Sequence, residues 1–443
     1  MTKVPSADVD TDAARLPAGK VRGFPTHSER AAAIGEVHAR PHPLLKCPRL
    51  LVQLSFMTEG GSAVDIAVLS ELARRQGIAA PDRNARHFVM KWGRGTLRWE
   101  RHTEFSTYLW EGPLSDGGVA GLEETPFGEG FSPPGTVISG IRLEVRDNID
   151  DTTSLVETLD PESLCHSGVE DGKAAIVTDF RQDGEGLTRM LILDKGLSEA
   201  RRGALAQRMI EIETYRTLAM LGLPLAQTLS GQLRRMEDRL AQLTGEMREV
   251  ERRNSQELLA DLTGLAADLE AQAASSLYRF GASRAYYEIV TDRLDALGEV
   301  ASAGAQSWKS FLTRRVAPAM RTCRSVEERQ ANLSRKLARA AQLLRTWVDV
   351  EVEKQNRDLL ASMNNRARQQ LRLQQTVEGL SVAAVSYYVV GLVAYMIRSY
   401  PMLPAWLPPE TVIGLSVPVV VLGIWLFVRR IRRHFHDEGK PGA

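Results

Sequence analysis

Carboxylate and imidazole side chains gather in one short run, RWERHTEF, at residues 98–105. Read as a strand, Leu97, Trp99, Arg101, Thr103 and Phe105 share one face, and Arg98, Glu100, His102 and Glu104 share the other. Two further runs carry similar groups: Glu36, His38 and His42 in EVHARPHP, and Asp179, Arg181 and Asp183 in TDFRQD. Brought together, such groups form a pocket able to hold a metal ion or an anionic ligand. The histidines keep no fixed ligand spacing. The alternative is a solvated sheet face whose neighbouring strands exchange salt bridges. Glu36, His38, Glu100, His102, Glu104, Asp179 and Asp183 are the ligand or metal candidates, and they leave the cofactor unknown.

A second kind of chemistry sits near the C-terminus. Residues 379–397 and 411–428 are two apolar runs without a charged side chain. A helix needs about 20 mostly apolar residues to cross a bilayer; the alternative is a buried hairpin in a soluble core. On a helical wheel Gln375, Gly379, Ala383, Ser386, Val390, Val393 and Ile397 fall on one face. Its first half is small or polar and its second half is apolar. An axis shared by several subunits suits that asymmetry, since Ser386 can meet water or an ion and the apolar stretch can gate by dewetting. Packing against the second span would also welcome the small residues.

No catalytic signature stands out: the chain has no G-x-x-x-x-G-K-[ST] loop, no G-x-S-x-G elbow and no H-E-x-x-H helix. An enzyme is not expected. The net charge of +1 gives no global field for nucleic acid. YRFGASRAYYEIV, residues 278–290, can stack on a base, but a helix-packing stripe is the simpler reading. Cys47, Cys165 and Cys323 are far apart and suit a reduced cytosol.

The elements that must position these groups divide the 443 residues into several parts. Residues 1–25 read as disordered. Residues 26–196 read as an α+β cytosolic domain. Within it, 28–40 and 62–77 are helices, and 51–57, 136–145, 173–181 and 187–194 are strands of a largely antiparallel sheet. Residues 87–110 form a hairpin or meander around a Gly-Arg-Gly turn. Strand signals stop after Asp194. Residues 197–324 read as a long-helix bundle, opened by a helix that Ser198 caps. A heptad seam follows through Leu229, Leu233, Met236, Leu240 and Leu243, slips near Asn254 and resumes at Leu258, giving antiparallel or coiled-coil helices. A third stretch, 276–320, is interrupted near Gly298 and Gly304. Residues 325–378 form a stalk helix with apolar positions at Leu333, Leu337, Leu344, Val348, Leu359, Met363 and Leu371. Continued to about residue 396 it would span on the order of 105 Å. A seam of this length predicts a homo-oligomer; the alternative is packing within its own chain.

Residues 379–428 are the two-helix transmembrane hairpin, and 429–443 a basic cytoplasmic tail. Arg366, Arg368 and Arg372 precede the first run, and the topology-setting Arg429, Arg430, Arg432 and Arg433 follow the second, while the connector holds only Arg398. Positive flanks stay in the cytoplasm, so both termini are expected there. The first 20 residues carry no apolar signal segment. The bilayer is the one firm partner, and the tail suits anionic head groups.

The runs EVHARPHP, RWERHTEFSTY, TDFR, EIETYR and LSVAAVSYYVVGL resemble a bacterial family of unknown function labelled predicted membrane-anchored protein, over about residues 28–397. That likeness places the protein in the bacterial inner membrane and implies no activity. The order of parts is also similar to the CorA-type divalent cation channels: an α/β domain, paired long helices, a stalk running into the membrane, a short outer loop, a second span and a basic tail. RQQLRLQQTVEGLSVAAV resembles the start of their pore helix, and Tyr395, Met396 and PMLPAW resemble the region of their outer motif. The likeness implies an ion-passing oligomer, a pentamer, with a cytosolic sensing domain. The chain reads Ala-Tyr-Met-Ile where that family carries Gly-Met-Asn, the triplet that binds hydrated cation. The alternative is a non-conducting membrane-anchored scaffold or regulator.

Overall fold

The computed structural model describes residues 20–22, 24–30, 33–34, 43–58, 61–114, 124–147, 152–249, 255–399 and 408–437. The expected helix at 28–40, with Glu36, His38 and His42, lies largely outside them. The chain forms two compact units, Met1–Ala340 and Ala341–Ala443.

The first unit is built on a mixed sheet. A small ribbon of β1 (Lys20–Val21) and β2 (Phe24–Pro25) precedes it. The sheet strands are β3 (Arg49–Met57), β4 (His87–Trp92), β5 (Gly95–Arg101), β6 (Phe105–Gly112), β7 (Thr136–Asp147), β8 (Cys165–Val169), β9 (Ala174–Gln182), β10 (Thr188–Asp194) and β11 (Val300–Ala301). Their order is β11-β8-β9-β10-β7-β3-β6-β5-β4. β10 and β7 run parallel and the other neighbours antiparallel. One parallel pair makes the sheet mixed, and the antiparallel pairs that form the rest keep it largely antiparallel, as expected. β11 corrects the expectation that strands end at Asp194: its two residues pair with Gly168 and Ser167, too short a segment to show a period of two.

Helices among the described residues include α1 (Ser62–Gln76), α2 (Thr152–Glu157), α3 (Glu199–Met220), α4 (Gly222–Glu249), α5 (Ser255–Asp295), α6 (Trp308–Ser399) and α7 (Pro409–Asp437). Both sheet faces are covered, which is why β3 reads as a nearly continuous apolar run. Leu50, Val52 and Phe56 pack with Val68, Leu69 and Leu72 of α1 and with Trp99, Tyr108 and Trp110. On the other face Leu51, Ile141, Leu143 and Val145 meet Leu205, Met209 and Ile212 of α3. α3 starts where expected, with the Ser198 hydroxyl accepting from the Arg201 amide at 3.4 Å. The helix lies so close to the preceding chain that a Cβ at Gly203 would sit 1.7 Å from the Pro43 carbonyl oxygen.

In α4 and α5 the expected seam is buried: Leu229, Leu233, Leu240, Leu243, Leu258, Leu262 and Leu269. The division differs from the sequence reading in one respect, since α5 runs unbroken through residue 276 to Asp295; the interruption between it and Trp308 falls around Gly298 and Gly304, as expected. α6 also starts earlier than residue 325 and contains Pro318. Proline costs one amide donor there and leaves the helix continuous. Leu333 and Leu337 of α6 are buried in the first unit.

The second unit holds the rest of α6 and α7. Two segments are long and apolar enough to cross a membrane, one within α6 with mean hydropathy 1.9 and one at Glu410–Arg430 with 2.4. Leu380, Tyr387, Tyr388, Leu392, Leu415, Val419 and Phe427 are exposed on them.

Candidate functional site

The polar residues of β5 face inward. Alternation along the strand buries Leu97 and Trp99 beneath α1 and turns Arg98 and Glu100 toward α3, where with His102 they line a cavity of about 70 Å³. This corrects the picture of a solvated face: α3 covers this side of the sheet, and Arg98, Glu100 and His102 are half-buried at its largely apolar interface. The opposite wall comes from Gln207, Glu211, Thr214 and Tyr215 of α3, and the floor from Gln53 of β3.

Several walls are fixed in place. Gln53 is buried, and its amide donates to the Thr214 hydroxyl at 2.9 Å. The Glu211 carboxylate accepts from Arg293 at 2.5 Å and from Gln207 at 2.8 Å. The His102 ring stacks on Phe105 with centroids 4.2 Å apart, and Tyr215 approaches it edge-on at 6.4 Å. A guanidinium, an imidazole, carboxylates, amides and hydroxyls thus surround a small space with Leu51, Leu109 and Ile210 between them. Such a lining can orient a small polar ligand by hydrogen bonds.

The other candidates do different work. Glu104 lies past the end of β5, where its carboxylate accepts both terminal nitrogens of Arg279 on α5, at 3.0 and 2.6 Å. The Tyr278 and Tyr286 phenols are raised above their usual range, first by burial and also by hydrogen bonds to Glu104. Glu104 is a clamp between sheet and helix. Asp179 and Asp183 do not join Glu100 and His102, because four strands separate β9 from β5, about 24 Å at the usual strand spacing. Asp179 accepts from the Asp160 and Arg181 amides, each at 3.0 Å. Asp183 accepts from Glu185 and Leu187 amides and shapes the β9–β10 turn. Glu36 and His38 lie outside the described residues.

The one metal-type grouping found among the described residues is Cys47, Asp147 and Asp194. It does not suit a cation. Asp194 is engaged by Arg202 at 2.8 and 2.5 Å. Burial, then the hydrogen bond to Asp147, pushes the Cys47 thiol up to about 12.

On the apolar part of α6, Ser386 is buried within the chain, and Val390, Val393 and Ile397 are half-buried on the same stripe. Gln375, Gly379 and Ala383 are exposed. Arg429 and Arg430 of α7 are exposed, and Arg429 lies over the Trp425 ring at 4.8 Å. Arg432 and Arg433 continue that helix, with side chains outside the described residues. The α3 wall and Arg279 escaped the sequence reading as site residues. The run EIETYR, which contains Glu211, Thr214 and Tyr215, was the available signal.

No curated protein matches the chain. The likeness to CorA-type channels gains no support from a matching family. The run-by-run likeness to a family of unknown function does: the chain belongs to the family described as protein of unknown function (DUF3422), whose sequence profile matches residues 25–435.

Proposed function

We propose that this is a two-span protein of the cell membrane that assembles as a homo-oligomer of CorA-like plan. In this reading its cytosolic sheet domain takes a small polar ligand beside His102, and its spans pass ions. The observation that carries the reading is uncovered apolar surface. Only 6% of the apolar window in α6, and none of that in α7, is buried within the chain. Exposed apolar area of this extent requires lipid or another subunit. Between the first unit and that window, Trp347, Val350, Leu359, Leu360, Met363 and Leu371 are also exposed on α6, and a second copy's helix would cover them.

A non-conducting anchor is the second reading. The missing Gly-Met-Asn triplet and the burial of Ser386 within a single chain favour it. Cysteine placed at Ser386 and at Val390, in a chain lacking Cys47, Cys165 and Cys323, separates the two. Channel function predicts labelling by a water-borne thiol reagent and altered flux in reconstituted vesicles. Unlabelled cysteines and vesicles silent to all tested ions select the anchor.

A further inference from the structure

The cavity beside His102 has uncharged polar groups set among its charged ones. Gln53, Thr107 and Thr214 line it, and they are 6%, 8% and 3% exposed. Gln53 of β3 stands opposite Leu109 of β6, and Thr107 opposite Ser55, on the side of the sheet that α3 covers. Both hydrogen bonds of Gln53 leave from its amide nitrogen, to Thr214 at 2.9 Å and to Ser55 at 3.3 Å. Its two N–H donors are therefore spent, and its carbonyl oxygen takes no donor among the described residues. The Thr214 oxygen accepts from Gln53, while its hydroxyl hydrogen has no acceptor among the described residues, and the Thr107 hydroxyl has no partner among them. Buried polar groups normally find partners. Three that lack one, converging on a single cavity, point to an occupant.

The charges around the cavity offset one another: Glu100 and Glu211 stand against Arg98 and against Arg293, which holds Glu211. A charged occupant would be desolvated with nothing left to balance it. Water alone would wet the apolar walls of Leu51, Leu109 and Ile210. We propose that the cavity binds the primary carboxamide group of a small uncharged molecule. Its two N–H donors meet Gln53 Oε1 and Thr107 Oγ1, its carbonyl oxygen accepts from the Thr214 hydroxyl, and its short apolar end rests on Leu51, Leu109 and Ile210. An alcohol has one donor and cannot serve both acceptors. The cavity of about 70 Å³ suits a molecule of a few heavy atoms, since one water needs about 10–15 Å³. The inference rests on the reading of this cavity as a ligand site.

Saturation-transfer NMR on the detergent-purified full chain tests it, with acetamide, acetate, acetamidinium and isopropanol as probes of equal heavy-atom count. Acetamide should bind at least about fivefold tighter than the other three. Thr107→Val should weaken acetamide about three- to tenfold. Its unliganded melting temperature should not fall, because the hydroxyl removed has no partner to lose. Gln53→Glu replaces the carbonyl oxygen by a carboxylate and should move the preference from acetamide to acetamidinium; if that chain fails to fold, Thr107→Val still decides. Tighter binding of acetate, acetamidinium or isopropanol by the wild type overturns the carboxamide assignment and leaves the cavity a ligand site. Binding of none of the four overturns both. Acetamide affinity unchanged in Thr107→Val also overturns the assignment, since the amide is then bound elsewhere.

Discussion

Glu104 is assigned to structure rather than to ligand, and Arg279→Ala tests that assignment. The substitution removes both donors at 3.0 and 2.6 Å from a carboxylate whose side chain is 8% exposed. Stripping one partner from a fully buried ion pair costs about 3–5 kcal/mol. Here Arg279 keeps 20% of its side chain in solvent, and the Tyr278 and Tyr286 phenols still donate to Glu104. The expected loss is therefore smaller, about 2–3 kcal/mol. Glu104→Ala should cost less than Arg279→Ala, because the remaining guanidinium can reach water. A double-mutant cycle should give a coupling of about 1–3 kcal/mol. Urea unfolding of the detergent-solubilised chain, read from the emission of buried Trp99 and Trp110, measures all three variants. Arg279→Ala within about 0.5 kcal/mol of wild type, or coupling near zero, would refute the clamp and return Glu104 to the ligand candidates.

Asp65 is buried in α1 and accepts from Trp99 Nε1 at 3.3 Å, Ser106 Oγ at 2.7 Å and Tyr108 OH at 2.8 Å, all on Oδ1. Asp65→Ala should cost about 3–5 kcal/mol in the same urea assay by orphaning three donors, and Asp65→Asn, which keeps an acceptor, clearly less. Burial pushes the Cys47 and Cys165 thiols up to about 12. Compared with an ordinary thiol at pH 8, they should carry roughly a thousandfold less thiolate and resist iodoacetamide until the chain is unfolded; rapid native alkylation would contradict this. A reporter active only outside the cytoplasm should work when fused after Leu403 and fail after Gly442, and the reverse pattern would overturn the proposed orientation.

Local patterns were legible where a residue's surroundings follow from its own period. The apolar strand at β3, the meander around Gly93 and the Ser198 cap were readable because turn chemistry and alternation are properties of a few neighbouring residues. The polar residues of β5 were read as one set, but Glu104 lies past the strand's end against Arg279, and the cover over the face was not legible, since alternation separates two faces without saying what lies over either. Only the strand order decides that Glu100 shares a cavity with Thr214 and Tyr215 while four strands separate Asp179 from it. Strand order is set by non-local pairing, including the parallel contact of β10 with β7, and leaves no mark within either strand. Arg279 illustrates the same limit. It lies 175 residues from Glu104, within a run that reads equally well as an aromatic packing surface. Ser386 was placed on a one-sided stripe, but a wheel cannot tell whether another helix of the same chain or a shared axis covers that stripe.

Assembly of the spans around a common axis is tested most directly by the rotational symmetry of single particles of the full chain in detergent. The CorA-like plan predicts a closed ring of five copies, with residues 341–399 of each copy arranged about the central axis. A population of monomers or two-fold dimers would contradict it and leave the chain as an anchor for its sheet domain.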